Sequence, residues 1–172
     1  RVIGLFFLIP LVFFYFSKKI DKKHLYICYL IFFLIVLQGS VGWYMVKSGL
    51  VNDVTVSHYR LSIHLSVAFI IISIIFWLIK NIVKKNNKTF FNFTYTNSPY
   101  LLLIFLIFSQ IVLGAFVSGL DAGKIYQTWP LMGYSYVPDD ILIQSLNNIL
   151  DFNNHSLVQF YHRNLAYLIT IY

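Results

Sequence analysis

VSHYRLSIHLSVAFIIISIIFWLI, residues Val56–Ile79, is long and apolar enough to cross a bilayer, yet it carries His64 inside its apolar run. An α-helix rises 1.5 Å per residue, so about 20 residues span the ~30 Å of hydrocarbon. Imidazole is costly in that medium and is retained there when it binds a metal, relays a proton or contacts a ligand. A second stretch, SLVQFYHRNLAYLITIY (Ser156–Tyr172), holds His162 in the same way.

The rest of the chain follows the same pattern. Of 172 residues, 59% are hydrophobic and only 11% charged, against roughly 25% charged in a soluble domain. The composition is that of an all-α integral membrane protein, a polytopic helical bundle. Five apolar segments are expected to be helices, because lipid leaves backbone groups no outside partner: Val2–Phe16, Leu25–Val46, Tyr59–Ile79, Tyr100–Leu120 and Leu157–Tyr172. The first is only ~22 Å long as a helix, and the last runs to Tyr172 without a polar flank. Both ends read as falling inside helices of a longer protein.

Charge sets the orientation. The net charge is +7, but the lysines cluster in two short loops and give no support for nucleic-acid binding. Lys18, Lys19, Lys22 and Lys23 lie in one; Lys80, Lys84, Lys85 and Lys88 lie in the other. Both loops are expected on the cytoplasmic or matrix side. The loop after Leu120 carries Asp121, Asp139, Asp140 and Asp151 against Lys124, and belongs outside. His64 and His162 then lie ~12 Å and ~9 Å in from the outer face.

Arg60 precedes His64 by one turn on the same helix face. Imidazole with a guanidinium nearer the surface suits an upright haem, the ring ligating iron and the Arg pairing with a propionate. A histidine satisfied by a neighbouring carbonyl is the structural alternative. Arg163 points about 100° away from His162 and needs a carboxylate such as Asp121, a carbonyl or a ligand acid. His24, His58 and His155, near boundaries or in loops, read as solvated. The outer loop GLDAGKIYQTWPLMG (Gly119–Gly133) reads as an interface anchor through Trp129 or as a lid over a lipid-like ligand.

Hydrolytic and nucleotide motifs are missing. Cys28 is the one cysteine, which excludes a disulfide framework. No Cys, Asp or second His stands one turn from either intramembrane histidine, so haem, needing one or two axial ligands, fits better than zinc. A weak repeat is also present. Gln38-x-x-x-Gly42 precedes Ser48-Gly49-Leu50, as Gln110-x-x-x-Gly114 precedes Ser118-Gly119-Leu120. It reads as two small-residue packing seams or as a duplicated unit.

GLDAGKIYQTWPLMG together with VQFYHR (Val158–Arg163), QGSVGWYMVKSGL (Gln38–Leu50), YRLSIHL (Tyr59–Leu65) and RVIGLFFLIP (Arg1–Pro10) resembles the haem A synthase family. With no cysteine pair in its outer loops, the chain is similar to the members that lack one. The resemblance implies an oxidoreductase that converts the C8 methyl of haem O to the formyl group of haem A by successive hydroxylation, for cytochrome c oxidase. It implies an eight-helix fold of two related four-helix halves, of which this chain covers roughly the second to sixth helices. Residues 1–98 would belong to the amino-terminal half with a cytoplasmic linker, and residues 99–172 to the carboxy-terminal half. His64 would ligate the substrate haem and His162 haem b, with their partner histidines outside the chain, as is the family's acidic residue. Spacing alone would allow His64 and His162 to share one iron; the family assigns them to two.

The resemblance further implies a bacterial plasma membrane or mitochondrial inner membrane, with haem sites toward the periplasm or intermembrane space. Haem O synthase, an electron donor and oxidase assembly factors would be partners, with homo-oligomer formation open. Two rival readings of the residues are a non-catalytic b-type cytochrome subunit and a proton-coupled transporter.

Overall fold

The computed structural model describes residues 2–49, 56–84, 89–141 and 146–172. Arg1, Leu50, Lys85 and Lys88, used in the sequence reading, lie outside them. The α-helices of the described residues are α1 (Val2–Phe16), α2 (Lys22–Gly49), α3 (His58–Val83), α4 (Ser98–Gly119), the short α5 (Leu146–Ile149) and α6 (His155–Ile171). The five expected segments correspond to α1, α2, α3, α4 and α6. Spans within α2 and α3, and one running Tyr95–Gly119, are long and apolar enough to cross a membrane. The protein is a polytopic helical membrane protein.

The chain divides into two compact units. One is Arg1–Val46 with Val67–Asn92; the other is Lys47–Ser66 with Phe93–Tyr172.

The first unit is held by an apolar seam. Ile27, Cys28, Ile31, Leu34 and Ile35 of α2 meet Val67, Ile71, Ile74, Ile75 and Leu78 of α3, with Phe7 of α1 added. On both helices these positions recur every three to four residues, so each set forms one stripe. Ile31 is fully buried. Phe6, Phe33, Ile72 and Phe76 are exposed, as lipid-facing side chains are in a protein whose solvent is hydrocarbon.

In the second unit α4 packs on α6. Pro99 stands in the first turn of α4, where its missing N–H costs nothing. The helix stops at Gly119, and a Cβ there would lie 2.7 Å from His58 Cα. Only glycine allows the end of α4 to approach the first turn of α3 so closely. Asp121, in the left-handed region at φ 54°, turns the chain into the outer loop. At α6, the Asn154 side chain caps the helix by accepting from Leu157 N at 3.0 Å.

Candidate functional site

His162 lies half-buried on α6, facing α4. The Gln110 side-chain nitrogen is 3.3 Å from His162 Nε2 and donates to the His162 carbonyl at 3.1 Å. One turn further along α4, a Cβ on Gly114 would lie 3.2 Å from His162 Cε1, so the glycine makes room for the ring. His162 Nδ1 and Gln110 Oε1 are buried without hydrogen-bond partners. Buried polar atoms are rarely left so, and a water, ion or ligand is one of the partners that can satisfy them. The spacing Gln110-x-x-x-Gly114, legible in the sequence, is thus one face of α4 shaped around a histidine.

His64 and Arg60 lie one turn apart on α3, each partly buried. Both belong to the same unit as His162. Among the described residues no group of three or more His, Cys, Asp or Glu side chains could hold a metal ion.

Arg163 finds backbone carbonyls, one of the partners its sequence position allowed. Its Nη1 donates to Thr128 O at 2.8 Å and its Nη2 to Tyr126 O at 2.5 Å. Asp121 pairs instead with Lys124 at 2.8 Å. Gln159, one turn before Arg163, brackets the same loop residue: it accepts from Tyr126 N at 3.3 Å and donates to Tyr126 O at 2.8 Å. Asp140 completes the attachment, accepting from Tyr126 Oη at 3.0 Å and from Ser156 Oγ at 2.6 Å. Burial first, then the Asp140 hydrogen bond, holds the Tyr126 phenol above its ordinary pKa. The outer loop is therefore fastened to α6 beside His162. Its Trp129 is exposed, and the Trp129–Pro130 peptide is cis.

His58 corrects the sequence reading. It is not solvated but 7% exposed, packed edge-on to Phe116 and against Gly119. Position near a helix start suggested water; the close approach that Gly119 permits removes it. His155 is exposed and His24 partly buried, the latter with Nδ1 3.6 Å from Asp21. An open polar cleft of about 390 Å³, lined by Ile125, Asp140, Asp151, Asn154, His155 and Ser156, includes neither His64 nor His162. Its polar walls do not suit an apolar macrocycle.

A model of the COX15-CtaA family, described as cytochrome oxidase assembly protein, matches residues 1–172. A haem A synthase of Pelagibacter ubique (strain HTCC1062) is 50% identical over 177 residues, covering 100% of this chain and 50% of that protein. A haem A synthase of Wolbachia sp. subsp. Brugia malayi (strain TRS) is 39% identical, covering 99% and 51%. One of Parvibaculum lavamentivorans is 37% identical, covering 99% and 49%. The chain spans about half the length of these relatives. No solved structure matches it.

Proposed function

The chain belongs to the COX15-CtaA family of cytochrome oxidase assembly proteins, and from that premise we propose that it is part of a haem A synthase, an oxidoreductase that converts the C8 methyl of haem O to a formyl group. The observation that carries this reading is the match along the whole chain to relatives named for that activity. In this reading residues 1–98 belong to the amino-terminal half, residues 99–172 to the carboxy-terminal half, and the lysine-rich loops face the cytoplasm or matrix.

The residues present fit haem. His162 offers a half-buried imidazole whose Nδ1, like the neighbouring Gln110 Oε1, is buried without a hydrogen-bond partner, its ring packed against Gly114. We assign it to haem b. His64, with Arg60 one turn toward the outer face, is assigned to the substrate haem, the guanidinium pairing with a propionate. Haem b, when bound, supplies an iron centre that changes oxidation state. The chain's own part is to orient these imidazoles and, through the loop that Gln159 and Arg163 fasten, to cover the outer side of His162. Haem O synthase, an electron donor and oxidase assembly factors are the partners this activity requires.

Haem O added to the intact protein in membranes should yield haem A on pigment extraction. Stable haem b without product would instead make the protein an electron-carrying cytochrome, and an absence of bound iron would favour a transporter. His64→Ala should abolish haem A formation and leave haem b bound, whereas His162→Ala should strip haem b. Loss of haem b in His64→Ala would reverse the two assignments.

A further inference from the structure

Between Lys124 and Asp139 the outer loop carries no charged residue, and its parts meet α6 at different heights. Asp140, at the exit, accepts from Ser156 Oγ in the first turn of α6 at 2.6 Å. Tyr126, near the entry, meets Gln159. The residues between them reach further along the helix. Thr128 O meets Arg163, Tyr136 Oη donates to Asn164 Oδ1, and Pro130 and Met132 share a narrow crevice with Phe160, Asn164 and Tyr167. Asn164 stands about 12 Å beyond Ser156 along the axis. Side chains on α6 lean back toward its start, which shortens the descent without cancelling it. α4 is a second ruler. Its Gln110 meets the His162 carbonyl about 13 Å before the helix ends at Gly119. At the opposite end Tyr172 Oη donates to Pro99 O, in the first turn of α4, at 3.0 Å. The two helices therefore run side by side along the length of α4, and Phe160 to Tyr167 lie within that length rather than at its outer rim.

We propose that Tyr126–Val137 is a re-entrant segment: it dips into the outer leaflet along α6 and presents its outward side chains to lipid. Irregular backbone is tolerated at that depth only where its polar groups find partners inside the protein, and here the loop is well supplied. Gln159 takes both the N–H and the carbonyl of Tyr126, and Arg163 takes the carbonyls of Tyr126 and Thr128. At the tip, Thr128 Oγ1 donates to Leu131 O at 2.9 Å and accepts from Gly133 N at 3.0 Å. Met132 N donates to Ser135 O at 2.8 Å, across a turn that Gly133 makes at φ 85°. Pro130 has no N–H to satisfy. The same depth accounts for Arg163. A guanidinium inside a leaflet needs acceptors, and the loop's carbonyls need donors, so each supplies what the other lacks. The side chains divide accordingly. Met132 is 2% exposed, whereas Trp129 is 74% and Tyr134 99% exposed, with Leu131 and Val137 also outward. An uncharged surface of Trp, Leu, Tyr and Val, at the depth of a membrane helix, fits the lipid interface and not water. Charges stand only at the segment's two ends, where the chain returns to water. The inference rests on the membrane position of α4 and α6 and not on the assignment of any haem.

The test is spin-label accessibility in the full-length protein in lipid nanodiscs. Native cysteines are replaced by serine, and one label at a time is introduced by Trp129→Cys or Tyr134→Cys. Molecular oxygen concentrates in the acyl region, and a nickel–EDDA chelate stays in water. Oxygen should relax both labels more strongly than the chelate does. The order should invert at Asn153→Cys, an exposed position in the stretch before α6. Stronger relaxation by the chelate at Trp129→Cys and Tyr134→Cys would put the segment in water and overturn the proposal. Weak relaxation by both reagents would mean that protein, either the rest of the chain or a second copy, covers the segment, and would overturn it equally. Tyr134 has almost no contacts to lose, so Tyr134→Cys decides the matter alone if Trp129→Cys does not fold.

Discussion

The seam of α1, α2 and α3 and the packing of α4 with α6 are built from different materials. The first brings together Ile31, Ile71 and Leu78 with partly buried apolar neighbours. The second adds to buried Ala115, Phe116, Leu157 and Val158 a set of side-chain donors on backbone carbonyls: Gln110 of α4 to His162 of α6, and, from α6 to the outer loop, Gln159 to Tyr126 and Arg163 to Tyr126 and Thr128. Shape and volume suffice for an apolar seam, and residues of similar size can replace one another. Donor geometry cannot be replaced in that way. The contrast places the specific donor geometry of the second unit around α6.

The largest effect that sharpens this contrast is expected at Ile31. Ile31→Ala should cost about 3 kcal/mol in thermal unfolding of the intact protein in detergent, and Ile31→Val about 1 kcal/mol. Equal losses would show that the seam depends on more than volume. Next comes Arg163→Ala, which removes two charge-assisted bonds to the loop and should cost about 2 kcal/mol. It should also speed hydrogen exchange across residues 126–133. Arg163→Lys should recover roughly half or less of that protection, because an ammonium lacks the planar fork that reaches two carbonyls. Full recovery by lysine would remove the claim of specific geometry. The smallest effect is expected for Lys124→Ala: its pair with Asp121 is exposed on both sides, and such pairs contribute ~0–1 kcal/mol. A larger loss would place the loop's attachment at its start rather than on α6.

The helices were legible because a lipid-spanning run must satisfy its own backbone. Val2–Phe16 appears with the bounds its hydropathy suggests, and the other four differ by a few residues at their ends. The candidate site was legible only in its components. His64, Arg60 and His162 stand out as polar groups in apolar runs, and Gln110 and Gly114 as a spaced pair. That Gln110 meets His162, 52 residues away, is a property of two helices packing, which periodicity within one helix does not record. Arg163 left three kinds of partner open for the same reason, and the carbonyls of Thr128 and Tyr126 became visible only once the loop was traced. His58 misled because its burial comes from Gly119, a residue far along the chain whose small size matters only at a crossing.

A helix in lipid can turn about its long axis at little cost unless something indexes it. On α6, Gln159, His162 and Arg163 lie within little more than one turn, and their partners lie on two adjacent sides: α4 for the ring, the outer loop for the other two. A twist of one residue, about 100°, would break all of these contacts together. The loop and α4 thus act as a key and keyway, setting the rotational phase of α6 as well as its place in the bundle.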